Sequence, residues 1–163
     1  MENINLQQTS AESMHGRVEE ATAILRADHK MVSGLFREYR RARGADEKRR
    51  LIGLICRELK THAQVEEEIF YPAVREAISD RENIAEARVE HAVMKELISQ
   101  VETADPGNET FEARVKVLSE YVRHHVNEEQ TEIFPRARAS GLDLKELGAQ
   151  IAERKAQLIP DQQ

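Results

Sequence analysis

Apolar residues recur along this chain in steps of three and four, the period of a helix with one face turned inward. A first stripe runs Leu25, His29, Val32, Phe36 and Tyr39 and predicts a helix over about 19–42. A second holds Ile52, Ile55, Leu59, His62, Glu66, Ile69 and Ala73, and a third holds Ile84, Ala87, His91, Met94, Ile98 and Val101. A fourth runs Phe111, Val115, Leu118, Val122, His125, Glu129 and Ile133. No strand signal competes with this period. Arg41 and Arg43 before Gly44 read as a helix C-terminus, and Asp46 is placed as the cap of the next helix. Asp80 or Asn83 opens the third helix, Asn83 with Glu86 having the spacing of a capping box. Asp105-Pro106-Gly107-Asn108 is a turn before the fourth, and Ser140-Gly141 sets off a tail helix starting near Asp143. Pro72 and Pro135 each remove an amide from the ladder and are expected to kink or end their helices just past the polar residues.

Four helices of this length with short connections make an all-α, antiparallel up-down-up-down four-helix bundle, roughly 30 to 45 Å long, with a short additional C-terminal helix. The expected division is a flexible segment 1–18, the bundle 19–138, and a C-terminal helix and tail 139–163. The tail helix carries Leu144, Leu147, Ile151 and Leu158 on one face. That face suits either a cover over the bundle or a contact between two copies, so monomer and homodimer both remain open.

Composition narrows the function. The 163 residues carry a formal net charge of −6, which argues against nucleic acid as the main partner because duplex binding needs a basic face. The single cysteine, Cys56, excludes an intrachain disulfide framework and fits a reducing compartment. No run of about 18 apolar residues occurs to span a membrane, and the polar stretch from Met1 to Arg17 lacks an apolar signal core. A cytoplasmic protein is the expectation. Arg37, Arg40, Arg41, Arg43, Lys48, Arg49 and Arg50 gather around the first interhelical loop. They read as a solvated helix end, with docking of an acidic redox protein partner as the sharper alternative.

The polar residues on the buried stripes carry the chemistry. Asp28-His29 returns as Glu90-His91, 62 residues on, and the pair His62/Glu66 returns as His125/Glu129, 63 residues on. A recurring set at one period signals a duplicated unit, here a helical hairpin. Matching Phe70 to Phe134 makes the repeat approximate around the two prolines. Residues four apart on a helix are neighbours, so each His-x-x-x-Glu pair addresses one point. An unsatisfied carboxylate on a buried stripe costs several kcal/mol or becomes neutral, so these groups require compensation. Four histidines and two carboxylates able to bridge make a dinuclear set of N and O donors suited to iron or, second, manganese, and the lack of thiolate disfavours structural zinc.

The strings Leu25-Arg26-Ala27-Asp28-His29, His62 through Pro72, Glu90-His91 and His124-His125 through Pro135 resemble the hemerythrin-like family, or HHE cation-binding domain, over about 21–138. The resemblance implies a four-helix bundle around a non-haem, oxo- or hydroxo-bridged pair of iron ions. By that analogy His29 and His62 hold one iron, His91 and His125 the other, and Glu66 and Glu129 bridge. Oxygen-carrying hemerythrins supply a fifth histidine from a His-x-x-x-His pair on the third helix, where this chain has Lys95 after His91 and Ala87 before it. About two coordination positions would then stay open, one on each metal, favouring reaction with oxygen, peroxide or nitric oxide at least as much as carriage. The alternatives are a metal-dependent sensor or iron-handling module without turnover, and repair of iron centres. Repair is weakened by the absence of an N-terminal cysteine segment. A ferritin-type oxidase is disfavoured because its Glu-x-x-His pairs are missing.

Other polar residues receive plainer readings. His124 with Glu128 repeats the spacing of His125 with Glu129, and the more apolar companions of His125 favour the latter. His15 is expected in solvent, with a fifth-ligand role as the alternative. Tyr39, Tyr71 and Tyr121 are assigned to core or interface and Cys56 to the core, and Asp28 and Glu90 to a solvated helix face, with hydrogen bonding to groups around the metal ligands as the alternative.

Overall fold

The computed structural model describes residues 19–79 and 81–159, which are helical with no strand among them. Helix α1 (Ala21–Arg41) starts where the Glu20 carboxylate accepts the Thr22 amide at 3.2 Å. It ends on Arg40 and Arg41, cations suited to the carbonyl end of the dipole. Helix α2 (Ala45–Val65) is capped by Gly44, not by Asp46. Asp46 and Glu47 lie inside its first turn and serve the positive end of the dipole from there.

Helix α4 (Glu82–Thr103) follows Arg81, so Asn83 lies within the helix and the capping box does not form. The Asn83 amide instead donates to Glu132 at 3.0 Å. Asp80 lies outside the described residues. Asn108 caps α5 (Glu109–Glu128), and Asp143 caps α7 (Leu144–Leu158) by accepting two amides. Gly141, at φ 80°, makes the turn before α7 that only glycine adopts without strain.

At both prolines the regular α-helix gives way to a π turn followed by a fresh helical segment, so the break in the ladder falls just before the proline. α2 runs through a π turn, Glu66–Phe70, into α3 (Tyr71–Ala77), and α5 runs through Glu129–Ile133 into α6 (Phe134–Ala139). In each turn the amide five residues on bonds back to the glutamate carbonyl, Tyr71 to Glu66 and Phe134 to Glu129. Because the i→i−4 ladder is already interrupted there, Pro72 and Pro135 sit at the start of a fresh helical segment, where a missing N–H is tolerated. The two π turns also correct the repeat. With 63 as the offset, Tyr71 corresponds to Phe134 and Pro72 to Pro135, so the second pairs repeat without slippage.

The hairpins α1–α2 and α4–α5 close into a ring in which α2 lies beside α4 and α1 beside α5. Helix α7 packs against α1 and α2, burying Leu147 and Ile151, so its apolar face covers the bundle. The apolar core has two parts. One contains Phe36, Tyr39, Leu51, Leu118 and Phe111, and the other Leu25, Phe70, Tyr71, Ile84, Phe134 and Ile151. Each of the four bundle helices also sets buried polar side chains on its inward face, His29, His62 with Glu66, His91, and His125 with Glu129.

A Cβ on Gly148 of α7 would stand 2.1 Å from the Glu19 carbonyl oxygen and 3.0 Å from the Ala21 nitrogen. Gly148→Ala is therefore expected to displace α7 and lower stability by about 1–3 kcal/mol, as overpacking does. Gly53→Ala, with nothing within 4 Å of the added atom, should raise stability by about 0.5–1 kcal/mol. Thermal melts of the two variants check the contrast, and equal Tm values would contradict the close docking of α7.

Candidate metal centre

The inward faces of four helices bring His29, His62, Glu66, His91, His125 and Glu129 together, each nearly or fully buried. On one side His29 Nε2 lies 3.0 Å from His62 Nε2 and 3.1 Å from Glu129 Oε2, while His62 Nε2 lies 2.9 Å from Glu66 Oε1. On the other side His91 Nε2 lies 3.1 Å from His125 Nε2 and 3.2 Å from Glu66 Oε2. Donor atoms of His29, His62, Glu66 and Glu129 all fall within 4.8 Å of one another, and so do those of Glu66, His91 and His125. Glu66 thus turns one oxygen to each half. His124, by contrast, has an exposed side chain and pairs with Glu128 at 3.1 Å, so His125 is the one that enters the layer. His15 lies outside the described residues.

The outer nitrogens decide what the inner ones can do. His62 Nδ1 lies 3.1 Å from Asp28, His91 Nδ1 lies 3.0 Å from Glu67, and His125 Nδ1 bonds Glu90. A carboxylate only accepts, so these Nδ1 atoms carry the protons and leave Nε2 lone pairs pointing inward in the neutral rings. Gln130 holds His29 Nδ1 at 2.9 Å, and an amide turned to present its carbonyl would complete the same pattern. Inward lone pairs 3.0 to 3.1 Å apart repel unless a proton or a cation stands between them. The buried atoms Glu66 Oε1 and Glu129 Oε2 make no hydrogen bond of good geometry. Four imidazole nitrogens and four carboxylate oxygens facing one another are a donor set that fits metal cations.

Some neighbours of the layer lie elsewhere than the helical period favours. Asp28 and Glu90 are buried rather than solvated, because their oxygens are drawn to His62 and His125. Lys155 of α7 reaches the other oxygen of Asp28. Tyr71 is fully buried, its hydroxyl 2.9 Å from Glu129 Oε1, 3.3 Å from Glu66 Oε2 and 3.2 Å from His91 Nε2. The π turn puts it there. A wider turn makes residue 71, not residue 70, the neighbour of Glu66 one turn on, which a 3.6-residue period cannot reveal. An acid adjacent to a candidate ligand, as in Asp28-His29, Glu90-His91 and Glu66-Glu67, is the signal that was available.

Charge within the layer is balanced by protons when protein groups act alone. Burial opposes charge on His62, but Glu66, the Asp28 hydrogen bond and Glu129 outweigh it and push the imidazole up to about 10. His125 is raised in the same way against burial, by Glu90, Glu129 and Glu66. Burial also opposes charge on Glu66, and His62 and His91 nevertheless hold it well below the usual carboxylate range. Burial, together with the Glu129 and Glu66 carboxylates, drives the Tyr71 phenol well above its ordinary value. Cys56, away from this layer, is buried and its thiol is pushed up to about 12 by burial, which suits a core residue.

Comparisons with known proteins agree with this geometry. The family model of the hemerythrin HHE cation binding domain matches residues 20–137. A curated relative, a DNA nickase of Nostoc sp. (strain PCC 7120 / SAG 25.82 / UTEX 2576), is 32% identical over 111 residues, which are 68% of this chain and 31% of that protein. The chain thus spans about a third of that relative's length. Among solved structures, an HHE cation binding domain-containing protein, the Rv2633c homolog from Mycobacterium kansasii, superposes with a TM-score of 0.76. It is 24% identical, with 86% of this chain and 87% of that one covered, and the likeness is one of fold.

The proton balance has a measurable sign. His62 is raised from 6.5 to about 10 in the fold, so the fold binds the extra proton between those values and stability is lost as pH rises through that window. Glu66 is depressed below 4.5, so its contribution is present above that value and lost as pH falls. Protein stripped of metal by a chelator should therefore lose several degrees of Tm between pH 6.5 and 10. The fall should be shallower in His62→Gln. A Tm that stays flat or rises over this window would contradict the proton balance.

Proposed function

We propose that this chain, which belongs to the hemerythrin HHE cation-binding family, holds a bridged pair of iron ions that bind or react with oxygen, peroxide or nitric oxide. The observation that carries this reading is the set of inward Nε2 atoms, three with Nδ1 held by acids, facing two buried carboxylates that each have an oxygen without a well-formed hydrogen bond. His29 and His62 would hold one metal, His91 and His125 the other, with Glu66 and Glu129 between them. A bound metal pair supplies Lewis-acid and redox chemistry.

The protein's own part can be read residue by residue. Asp28, Glu67 and Glu90 fix ring orientation and raise the basicity of the inward nitrogens. Tyr71 sets an O–H donor against Glu129 Oε1 and next to His91, on the second half only. At the corresponding position of the first half stands Phe134, stacked on His29 with centroids 5.8 Å apart. A small ligand would accordingly find the less crowded position on the His29/His62 half, where an apolar-floored cavity between α1 and α5 reaches His29. The nicking activity named for the Nostoc relative is not part of this proposal, since the chain spans 31% of that protein and carries a net charge of −6.

Anaerobic reconstitution should give about two metal ions per chain, with an absorption spectrum that changes on adding oxygen or hydrogen peroxide. Repeated peroxide consumption would mark an enzyme; a stable reversible adduct would mark carriage or sensing. Glu66→Ala should lower metal content toward one ion or none and reduce Tm, because metal binding energy is coupled to folding. A metal content near one in the wild type, or one unchanged in Glu66→Ala, would overturn the bridged pair.

A further inference from the structure

Between α1 and α5 the bundle opens into a cavity of about 650 Å³. That is far more than a diatomic molecule or peroxide fills, and it lies within the range of sites for small organic ligands. The floor is apolar, made by Phe36, Val115 and Val122 with Val126 beside them. Along α1 the lining runs from His29 to Arg40, about 16 Å of helix rise. An extended chain advances about 1.2 Å per bond, so this length, less about 4 Å for the carboxylate and the van der Waals ends, accepts an unbranched chain of about ten carbons.

The rim is charged, and its pairing is uneven. Glu112 is held by Lys48 at 2.7 Å and by the Tyr39 hydroxyl at 3.2 Å. Glu120 faces Lys116 at 4.0 Å. Arg40 and Arg123 line the same cavity, and among the described residues neither has an ion pair or hydrogen bond. In a chain of net charge −6, two uncommitted guanidinium groups beside an apolar floor favour one ligand chemistry. It is an anion carrying a long apolar tail. Carboxylate is the anion that a guanidinium pairs with in bidentate geometry while the tail stays on the floor.

We infer that the α1–α5 cavity is a binding site for an unbranched aliphatic carboxylate, its chain on Phe36, Val115 and Val122 and its head on Arg40 or Arg123. Bound there, the ligand lies against His29 and covers the approach to that half of the centre. The inference goes beyond the proposed metal chemistry, and its test reads binding rather than reactivity, so either can fail without the other.

Calorimetric titration of the metal-loaded full chain with decanoate should show saturable binding at one site. Decanol, which lacks the charge, should bind at least tenfold more weakly, and acetate, which lacks the tail, should not bind. The double substitution Arg40→Ala/Arg123→Ala, both at exposed side chains, should weaken decanoate at least tenfold, with Tm as the control for folding. Ser119→Trp fills the cavity from its rim and should abolish binding, again with Tm as the control. No saturable decanoate binding, decanol binding as tightly as decanoate, or undiminished binding by both folded variants would overturn the inference.

Discussion

The structure depends on one constraint, which is that two carboxylates and four imidazoles share a buried layer where water cannot solvate them. Buried charge is costly unless paired, and paired charge is stable only when the remaining lone pairs and protons are also satisfied. Every imidazole of the layer meets this by turning Nδ1 outward to a partner on a neighbouring helix, Asp28, Glu67, Glu90 or Gln130. The inner atoms are then left as acceptors aimed at one another. Such an arrangement is tolerable with protons between the atoms and better served by cations. The same geometry therefore explains the raised imidazoles and the depressed Glu66 of the protein groups alone, and the fit of the layer to metal ions.

Duplication produces this layer, and its departures from symmetry give the layer a direction. In each hairpin the acid preceding the first histidine holds the second one, Asp28 to His62 and Glu90 to His125. The residue after each inward glutamate crosses to the other hairpin, Glu67 to His91 and Gln130 to His29. These crossed contacts tie the two hairpins together. Two positions break the match, Tyr71 against Phe134 and Glu67 against Gln130, and both place the more polar or charged member beside His91. The His91 half is consequently the more polar and more crowded, and the His29 half faces Phe134 and the apolar cavity. A duplicated sequence has in this way yielded two unequal positions.

The four helices and the inward placement of the six donors were legible in the sequence because both follow from a strict helical period. Stripe position alone puts His125 rather than His124 inside. What was not legible depends on breaks in that period or on pairing across helices. Tyr71 enters the layer only because the π turn adds a residue after Glu66, and that turn, just ahead of Pro72 where the period alone read a kink or an end, is the form the break takes. Asp28 and Glu90 sit beside the stripe on a face that counts as solvated until the neighbouring helix brings a histidine to it. Asp46 and Asn83 are good capping residues, and both were overridden by ends set two residues earlier at Gly44 and Arg81.

The fifth helix is more than a cover. Asp28 has two oxygens; one takes His62 Nδ1 and the other takes Lys155 of α7. A carboxylate so neutralised from outside is a weaker attractor for the imidazole proton than an unpaired one, so the docking of α7 moderates how strongly His62 donates. The matching acid, Glu90, has no such lysine among the described residues; its outer oxygen is 3.6 Å from the exposed His124. A tightly held ammonium thus stands behind one half of the layer and a solvent-exposed imidazole behind the other. The close approach of Gly148 to Glu19 and Ala21 holds α7 against the start of α1, the helix that carries Asp28 and His29. Packing at the helix end and basicity at the centre are therefore coupled through a single carboxylate.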